Sequence, residues 1–487
     1  MRALVPVFTA LVLSMALASC SGADASAPTS TVPAPRAATA IAQQPSESPS
    51  MNAGETPVGT IWAWGSNVNG ELGDGILTHN DCAEGPNVWD CSRTPVRVAE
   101  LSNIATISGS HAQKIDGTIW SWGDNDNGQL GDGVTAHQDC GQYGTNDCSP
   151  TPVLVAGISD VIAISTSPSS GYALKSDGTV WAWGRNAEGQ LGDGNTTHQV
   201  CTSKPFSWDC SFSPVRVARI SDIVSISAAD SNAYALRSDG SVWAWGAGYF
   251  GQLGDGSTTH EDCHYGEKSY DCSKTPVQVS GLTGVTAIGA SGDGGYALKS
   301  DGTVWAWGSG DSGRLGDGDI SHHKCTYGGA TYDCSLKPVQ VSGLTRITAI
   351  TGSLSLNGYA LKSDGTVYSW GDNHYGQLGD GSITHQDCWP GTSYQDCSPM
   401  PVRMTGLPEV TAIRGGDGFA YALTSGGMIL AWGNNHFGLL GDDSAHQPTE
   451  SDGSGDCSPM PVQVLGLENV IAISAGNQTG YALVRDA

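Results

Sequence analysis

The chain has 487 residues, 39% of them hydrophobic, with 48 acidic against 22 basic side chains and a formal charge of −26 at pH 7. A surface that acidic repels phosphate backbones, which excludes nucleic acid as a partner. Beyond the extreme N-terminus no apolar run reaches the roughly 20 residues a spanning helix needs, so the bulk of the chain is expected to be soluble and monomeric.

The chain opens with Met1-Arg2, an apolar stretch from Ala3 to Leu17, and Leu17-Ala18-Ser19-Cys20. Small residues before a cysteine suit a signal peptidase, so residues 1–19 read as a lipoprotein signal peptide and the Cys20 thiol as the point of acylation. Residues 20–57 are mostly Ala, Ser, Thr and Pro. They hold too little apolar surface to fold and read as a disordered tether, about 35 Å end to end as a random coil. Ser21 after the cysteine fits outer-membrane sorting. The expected address is therefore exported, an outer-membrane lipoprotein or cell-surface protein that meets the membrane only through its lipid.

From 58 to 487 one unit recurs. Gly59-Thr60-Ile61-Trp62-Ala63-Trp64-Gly65 returns in near copies starting at 117, 178, 240, 302, 365 and 427. After each come Gln-Leu-Gly-Asp-Gly or a variant, an insert, a Pro-Val-x-Val run, a Val-x-x-Ile-like run and Tyr-Ala-Leu-Lys-Ser-Asp-Gly. Four short β-type runs bounded by Gly, Pro and Asp-Gly signals describe a four-stranded antiparallel sheet. Asp177-Gly178, Asp239-Gly240, Asp301-Gly302 and Asp364-Gly365 predict tight hairpins whose turns need positive φ. Trp181 and Trp183 share one face of their strand and Ala182 the other. The pair therefore reads as core, two indoles pressed on one neighbouring sheet.

Seven such sheets cannot each bury two faces alone, which predicts an all-β fold, a seven-bladed β-propeller. The first unit lacks the two strands that precede its Trp segment elsewhere, and the runs Val470 to Ser474 and Tyr481 to Val484 supply them. N- and C-terminal strands are expected to pair and close the ring.

Trp183-Gly184-Arg185-Asn186-Ala187-Glu188-Gly189-Gln190-Leu191-Gly192-Asp193-Gly194, followed by Pro-Val and the Ala-Leu hairpin, resembles the regulator-of-chromosome-condensation repeat. The resemblance covers residues 57 to 487 and is specific through its repetition. It implies a seven-bladed propeller and, in the best-known eukaryotic member, nucleotide exchange on a small GTPase with chromatin binding. That activity is not carried over, because the shared residues belong to the scaffold. Exported bacterial relatives include a propeller that inhibits β-lactamases, which keeps inhibition of a secreted enzyme as an alternative.

Fourteen cysteines divide informatively. Twelve form close pairs, Cys82/Cys91, Cys140/Cys148, Cys201/Cys210, Cys263/Cys272, Cys325/Cys334 and Cys388/Cys397, one pair in the insert of each of six units. In an oxidising compartment these read as disulfides, each contributing roughly 2 to 3 kcal/mol by loop closure. A His stands three positions before the first Cys of each pair, at His79, His137, His198, His260, His322 and His385. With Asp before the second Cys, that offers zinc-type ligands as the alternative, the disulfide reading needing no cofactor. The seventh insert lacks its first Cys and leaves Cys457 unpaired.

Between the cysteines the residues diverge: Trp89, Tyr143, Phe206 and Trp208, Tyr265 and Tyr270, Tyr327 and Tyr332, Trp389 and Tyr394. All inserts should emerge on one face of the disk, where clipped loops bearing Tyr and Trp have the chemistry of a protein-recognition surface. The opposing reading packs each ring on its own disulfide.

No nucleophile elbow, phosphate loop, zincin or dinucleotide motif occurs, so no catalytic residue is assigned and the chain is not read as an enzyme. The repeated Asp74, Asp132, Asp193, Asp255, Asp317, Asp380 and Asp442 read as turn residues bonding nearby backbone. His374, His436, Arg185 and Arg314 are the polar residues that do not repeat. They keep a carbohydrate-binding or polysaccharide-acting propeller as a second alternative to a protein-binding scaffold whose partner is unidentified.

Overall fold

The computed structural model describes residues 58–79, 82–84, 87–140, 146–203, 206–265, 268–388, 396–444 and 456–486. The expected signal peptide, Cys20 and the tether lie outside them. Seven antiparallel blades follow one another around a ring, the first two joined in one nine-stranded sheet where Gly59 pairs with Ile104. In the third blade Val161–Thr166, Ser170–Lys175, Val180–Arg185 and Phe206–Arg216 pair in that order. Gln199–Ser203 adds a fifth strand by folding back on the last. The only helical element among the described residues is one turn at Asp311–Gly313.

The ring closes as the repeat predicts. Gly59–Ser66 pairs with Thr479–Arg485 along its length, Trp62 opposite Ala482 and Ala63 opposite Tyr481, so one blade combines both ends of the propeller. The Asp-Gly hairpins form with φ of +76° to +82° at Gly178, Gly240, Gly302 and Gly365.

The first strands of successive blades face one another around the axis. Ser108, Thr166, Ala228, Ala290, Thr351, Arg414 and Ser474, one from each blade, line a narrow channel there. Since strands alternate in direction, the turn after the first strand and the insert after the third leave each blade on the same face. The Asp-Gly turns leave on the other.

The seam between blades explains the repeated Trp, Tyr and Gly. Trp183 is fully buried and donates its indole N–H to the carbonyl of Gln129 in the preceding blade at 2.9 Å. Trp245 does the same to Gln190 at 2.8 Å, and the Tyr172 hydroxyl donates to that carbonyl at 2.9 Å. One carbonyl per blade thus accepts two bonds from two blades, around the whole ring. The other member of each Trp pair departs from expectation. Trp120, Trp181, Trp243 and Trp305 are half-buried, with Lys114, Lys175, Arg237 and Lys299 lying 4.5 to 5.9 Å from their ring centres. These indoles are less enclosed than their partners, each beneath a cation, and Trp120, Trp243 and Trp305 still pack against the core shared with the preceding blade.

Candidate functional site

Six of the seven inserts are fastened to their blades by a disulfide and by an Asp–His–Asp strut. The six expected bridges form, Cys82–Cys91, Cys140–Cys148, Cys201–Cys210, Cys263–Cys272, Cys325–Cys334 and Cys388–Cys397, with Cα–Cα distances of 5.7 to 6.1 Å. The last strand of each blade begins within the insert and carries its second cysteine. The second of each pair, Cys91, Cys148, Cys210, Cys272, Cys334 and Cys397, is at most 1% exposed and belongs to the core. Each lies on the outer strand of its blade, directly opposite the residue that follows Trp-Gly: Cys91 faces Ser66, Cys148 faces Asp124, Cys210 faces Arg185, Cys272 faces Ala247, Cys334 faces Ser309 and Cys397 faces Asp372. Strand pairing carries these sulfurs inward, so the bridge pins the loop to the sheet and adds nothing to an exposed recognition face.

The expectation that Cys457 is unpaired is also corrected: it is disulfide-bonded.

The histidines join two acids across the insert. His198 places Nε2 3.0 Å from Asp193 and Nδ1 2.8 Å from Asp209, the residue before the second cysteine. The same Asp–His–Asp arrangement holds His79, His137, His260, His322 and His385. The repeated aspartates are turn residues as expected, Asp193 Oδ1 accepting the Asn195 N–H, and carry this second role as well. Hydrogen bonds from Asp193 and Asp209 push the His198 imidazole up to about 9 against burial. His79, His260, His322 and His385 reach the same value through their own aspartates. These rings are cations at neutral pH. The sulfurs sit in bridges and both ring nitrogens face carboxylates, so the donors the zinc alternative drew on are already engaged.

The Asn of Trp-Gly-x-Asn ties the insert to its blade. Asn186 donates to Asp209 at 2.6 Å and its own Oδ1 accepts the Leu191 N–H. In the seventh insert, which lacks the first Cys, Arg93 of the first blade stands 3.9 Å from Asp456 and donates to the Ser444 carbonyl at 3.2 Å.

The aromatic side chains take a position that neither reading of the sequence contained. In four blades the residue two before the second cysteine crosses to the loop of the preceding blade, whereas Tyr270 meets Tyr249 of its own blade and Tyr327 of the next. Trp89 meets Phe437 edge-on at 6.0 Å, Trp208 donates to Asn127 at 2.8 Å, and Tyr332 meets Phe250 at 5.0 Å. Asn146 follows the same rule toward Asn69 at 3.2 Å. Tyr327 stacks on Tyr249 with centroids 4.5 Å apart and lies 5.9 Å from Tyr270. Tyr143, Trp389 and Tyr394, and the side chains of Phe206 and Tyr265, lie outside the described residues.

Two open regions result on this face. A groove of about 940 Å³ runs between the inserts of the fourth and fifth blades, bordered by Tyr249, Tyr270, Tyr327, Glu261, Asp262 and Lys324. A cavity of about 250 Å³ lies at the channel mouth by the first and second blades. Tyr249 and Phe250 were missed from sequence; their signal is that the position before the loop glycine, held by Asn127, Glu188, Phe250 and Phe437 in different units, varies as the inserts do. Arg185 pairs with Glu188 at 3.2 Å and covers Trp208, while the buried Arg314 stands 3.6 Å from Asp293. His374 packs on Tyr375 and His436 on Phe437. These four nonrepeating residues are spent in four separate blades.

Comparison with known proteins agrees with this architecture. Prp20p from Saccharomyces cerevisiae superposes with a TM-score of 0.65 at 21% identity, over 89% of this chain and 92% of that one. Human WBSCR16 gives 0.64 at 20% identity, over 88% and 99%. The ultraviolet-B receptor UVR8 of Arabidopsis thaliana is 25% identical over 390 residues, 78% of this chain and 74% of that one. The E3 ubiquitin-protein ligase HERC2 of Mus musculus is 30% identical over 403 residues, 80% of this chain, which spans only 7% of that protein's length. The RCC1-like domain model matches residues 136–487, and the chain belongs to that family.

Proposed function

We propose that the chain is an exported, envelope-anchored propeller that binds another protein through its disulfide-clipped inserts, with Cys20 as the lipid-bearing residue. The observation that carries this reading is the groove between the fourth and fifth blades, where Tyr249, Tyr270 and Tyr327 form one aromatic surface on loops pinned by buried sulfurs. Aromatic side chains on rigid supports give contact area at low entropic cost. Prp20p, of the same fold, is described by its binding to Gsp1p and histones, which supports protein recognition without naming this partner.

The test is a photocrosslinking amino acid placed at position 327 or 270 of the full chain in its own envelope. A discrete protein adduct at these positions, absent when the probe replaces Ser176 on the opposite face, is expected. Adducts to polysaccharide alone, or equal protein adducts at Ser176, would overturn the reading. An adduct to a secreted enzyme would make the chain an inhibitor. Loss of acyl labelling in Cys20→Ser tests the anchor.

A further inference from the structure

The second blade breaks the scaffold rule beside the channel mouth. Where Tyr172 and Leu174 stand in the third blade, the second carries His111 and Gln113, both 2% exposed. His111 Nε2 takes over the tyrosine's bond to the blade carbonyl, at 3.1 Å from Gln129 O. A ring nitrogen facing a carbonyl must carry the proton, so Nδ1 is left as a bare acceptor, and it has no partner among the described residues. Gln113 donates to Val161 O at 2.6 Å and leaves Oε1 unpartnered as well. Each such group costs stability. A repeat that keeps tyrosine here in six blades, and abandons it beside the mouth cavity, fits a site better than a core.

The cavity is lined with acceptors. Besides His111 it is walled by Glu71 of the first blade and Asp124 of the second, and among the described residues neither Lys nor Arg borders it. Glu71 accepts the Asn69 N–H at 2.8 Å and has further hydrogen bonds with the Asn69 side chain and its own backbone. Asp124 accepts from the Asp126 N–H at 3.1 Å and from Gln129 Nε2 at 2.8 Å. Trp89 and Phe437 form an aromatic side wall.

We propose that this cavity binds a small organic cation, a protonated amine, held between the carboxylates of Glu71 and Asp124 beside the His111 ring. An ammonium brings donors in every direction and the positive charge the walls lack, and the aromatic wall suits it too. The carboxylates are poised for such a ligand. Burial pushes both up to about 7, with Asp90 adding repulsion at Glu71, and Asp126 and Glu71 adding it at Asp124. Burial also pushes His111 down to about 4, so it supplies no internal cation.

Calorimetry on the full chain with glucosamine, putrescine and glucose tests this. Glucosamine or putrescine should bind while glucose, the neutral counterpart of glucosamine, does not; which amine binds tells an amino sugar from a linear amine. Binding near pH 7 should release protons, read as heat that changes with the ionisation enthalpy of the buffer. Glu71→Gln and Asp124→Asn, which keep the side-chain shape, should each weaken binding tenfold or more at an unchanged melting temperature. Asp230→Asn, in the fourth blade's turn and away from the cavity, should leave it unchanged. Glucose binding as well as glucosamine, affinity indifferent to both carboxyl variants, or no amine binding at millimolar concentration would each overturn the proposal.

Discussion

Raising the pH from 6 to 10 should release the inserts one charge at a time, and His198 shows by how much. Its folded value is about 9, against about 6.5 for an unperturbed imidazole. A group whose value rises on folding stabilises the fold fully below 6.5, progressively less between 6.5 and 9, and not at all above. At about 1.4 kcal/mol per pH unit the contribution is of order 3 kcal/mol below pH 6.5, and the ring is enclosed enough, at 11% side-chain exposure, to hold most of it. His198→Gln retains hydrogen-bonding capacity but not the charge, leaving Asp193 and Asp209 to face each other. Urea melts should therefore separate wild type from variant by about 3 kcal/mol at pH 6 and by a few tenths at pH 10. Ring-proton NMR should give a midpoint near 9. An equal gap at both pH values, or a midpoint near 6.5, would refute the strut.

At acid pH the aspartates act in the opposite sense. Burial works to raise Asp193, Asp333 and Asp396, yet the bonds from His198, His322 and His385 hold them below the usual carboxylate range, so their support should fade as pH falls below about 4. The clipped loop itself can be tested by replacing Cys201 and Cys210 with alanine together, which should cost roughly 2.5 kcal/mol in the same melts, with the propeller retained by circular dichroism. Gly192 has φ of +66°, and a Cβ there would stand 2.6 Å from Trp245 Cδ1. Gly192→Ala should therefore cost about 2 to 4 kcal/mol, and Gly157→Ala, at +70° with nothing within 4 Å, about 1. Equal losses at the two glycines would show that backbone conformation, and not the indole beneath Gly192, explains the Leu-Gly-Asp-Gly motif.

The ring was legible because its signals are local and repeated. Two-residue alternation in Trp181-Ala182-Trp183 marks a strand, Asp177-Gly178 marks its hairpin, and the pairing of Cys201 with Cys210 needs only a short loop in an oxidising setting. What stayed hidden depends on partners brought close by folding. Spacing pairs the cysteines but does not say that Cys210 and its counterparts Cys91, Cys148, Cys272, Cys334 and Cys397 are buried within the sheet, since that follows from register against the Trp strand. Asp209 lies eleven residues past His198 and meets it because Gln199–Ser203 folds back on Phe206–Arg216. Trp208 finds Asn127 81 residues away, in another blade. The half-buried member of each Trp pair could not be told from the buried one, since both occupy one strand face.

Each clipped insert owes its shape to a disulfide, a charged imidazole between two aspartates and, in several blades, an Asn reaching from the scaffold, and none of these involves the residues that vary between the cysteines. Substitution there leaves the loop's fastening intact. The exception, in several blades, is the residue two before the second cysteine, which answers to a side chain of the preceding blade: Trp208 with Asn127, Tyr332 with Phe250, Trp89 with Phe437. Variation at that position must be matched across the seam, so neighbouring inserts change as couples. The proposed recognition surface would then extend across adjacent blades, as the Tyr249, Tyr270 and Tyr327 groove does between the fourth and fifth. Single substitutions in one insert should accordingly alter binding less than exchanging the inserts of the fourth and fifth blades together with the loop residues they touch.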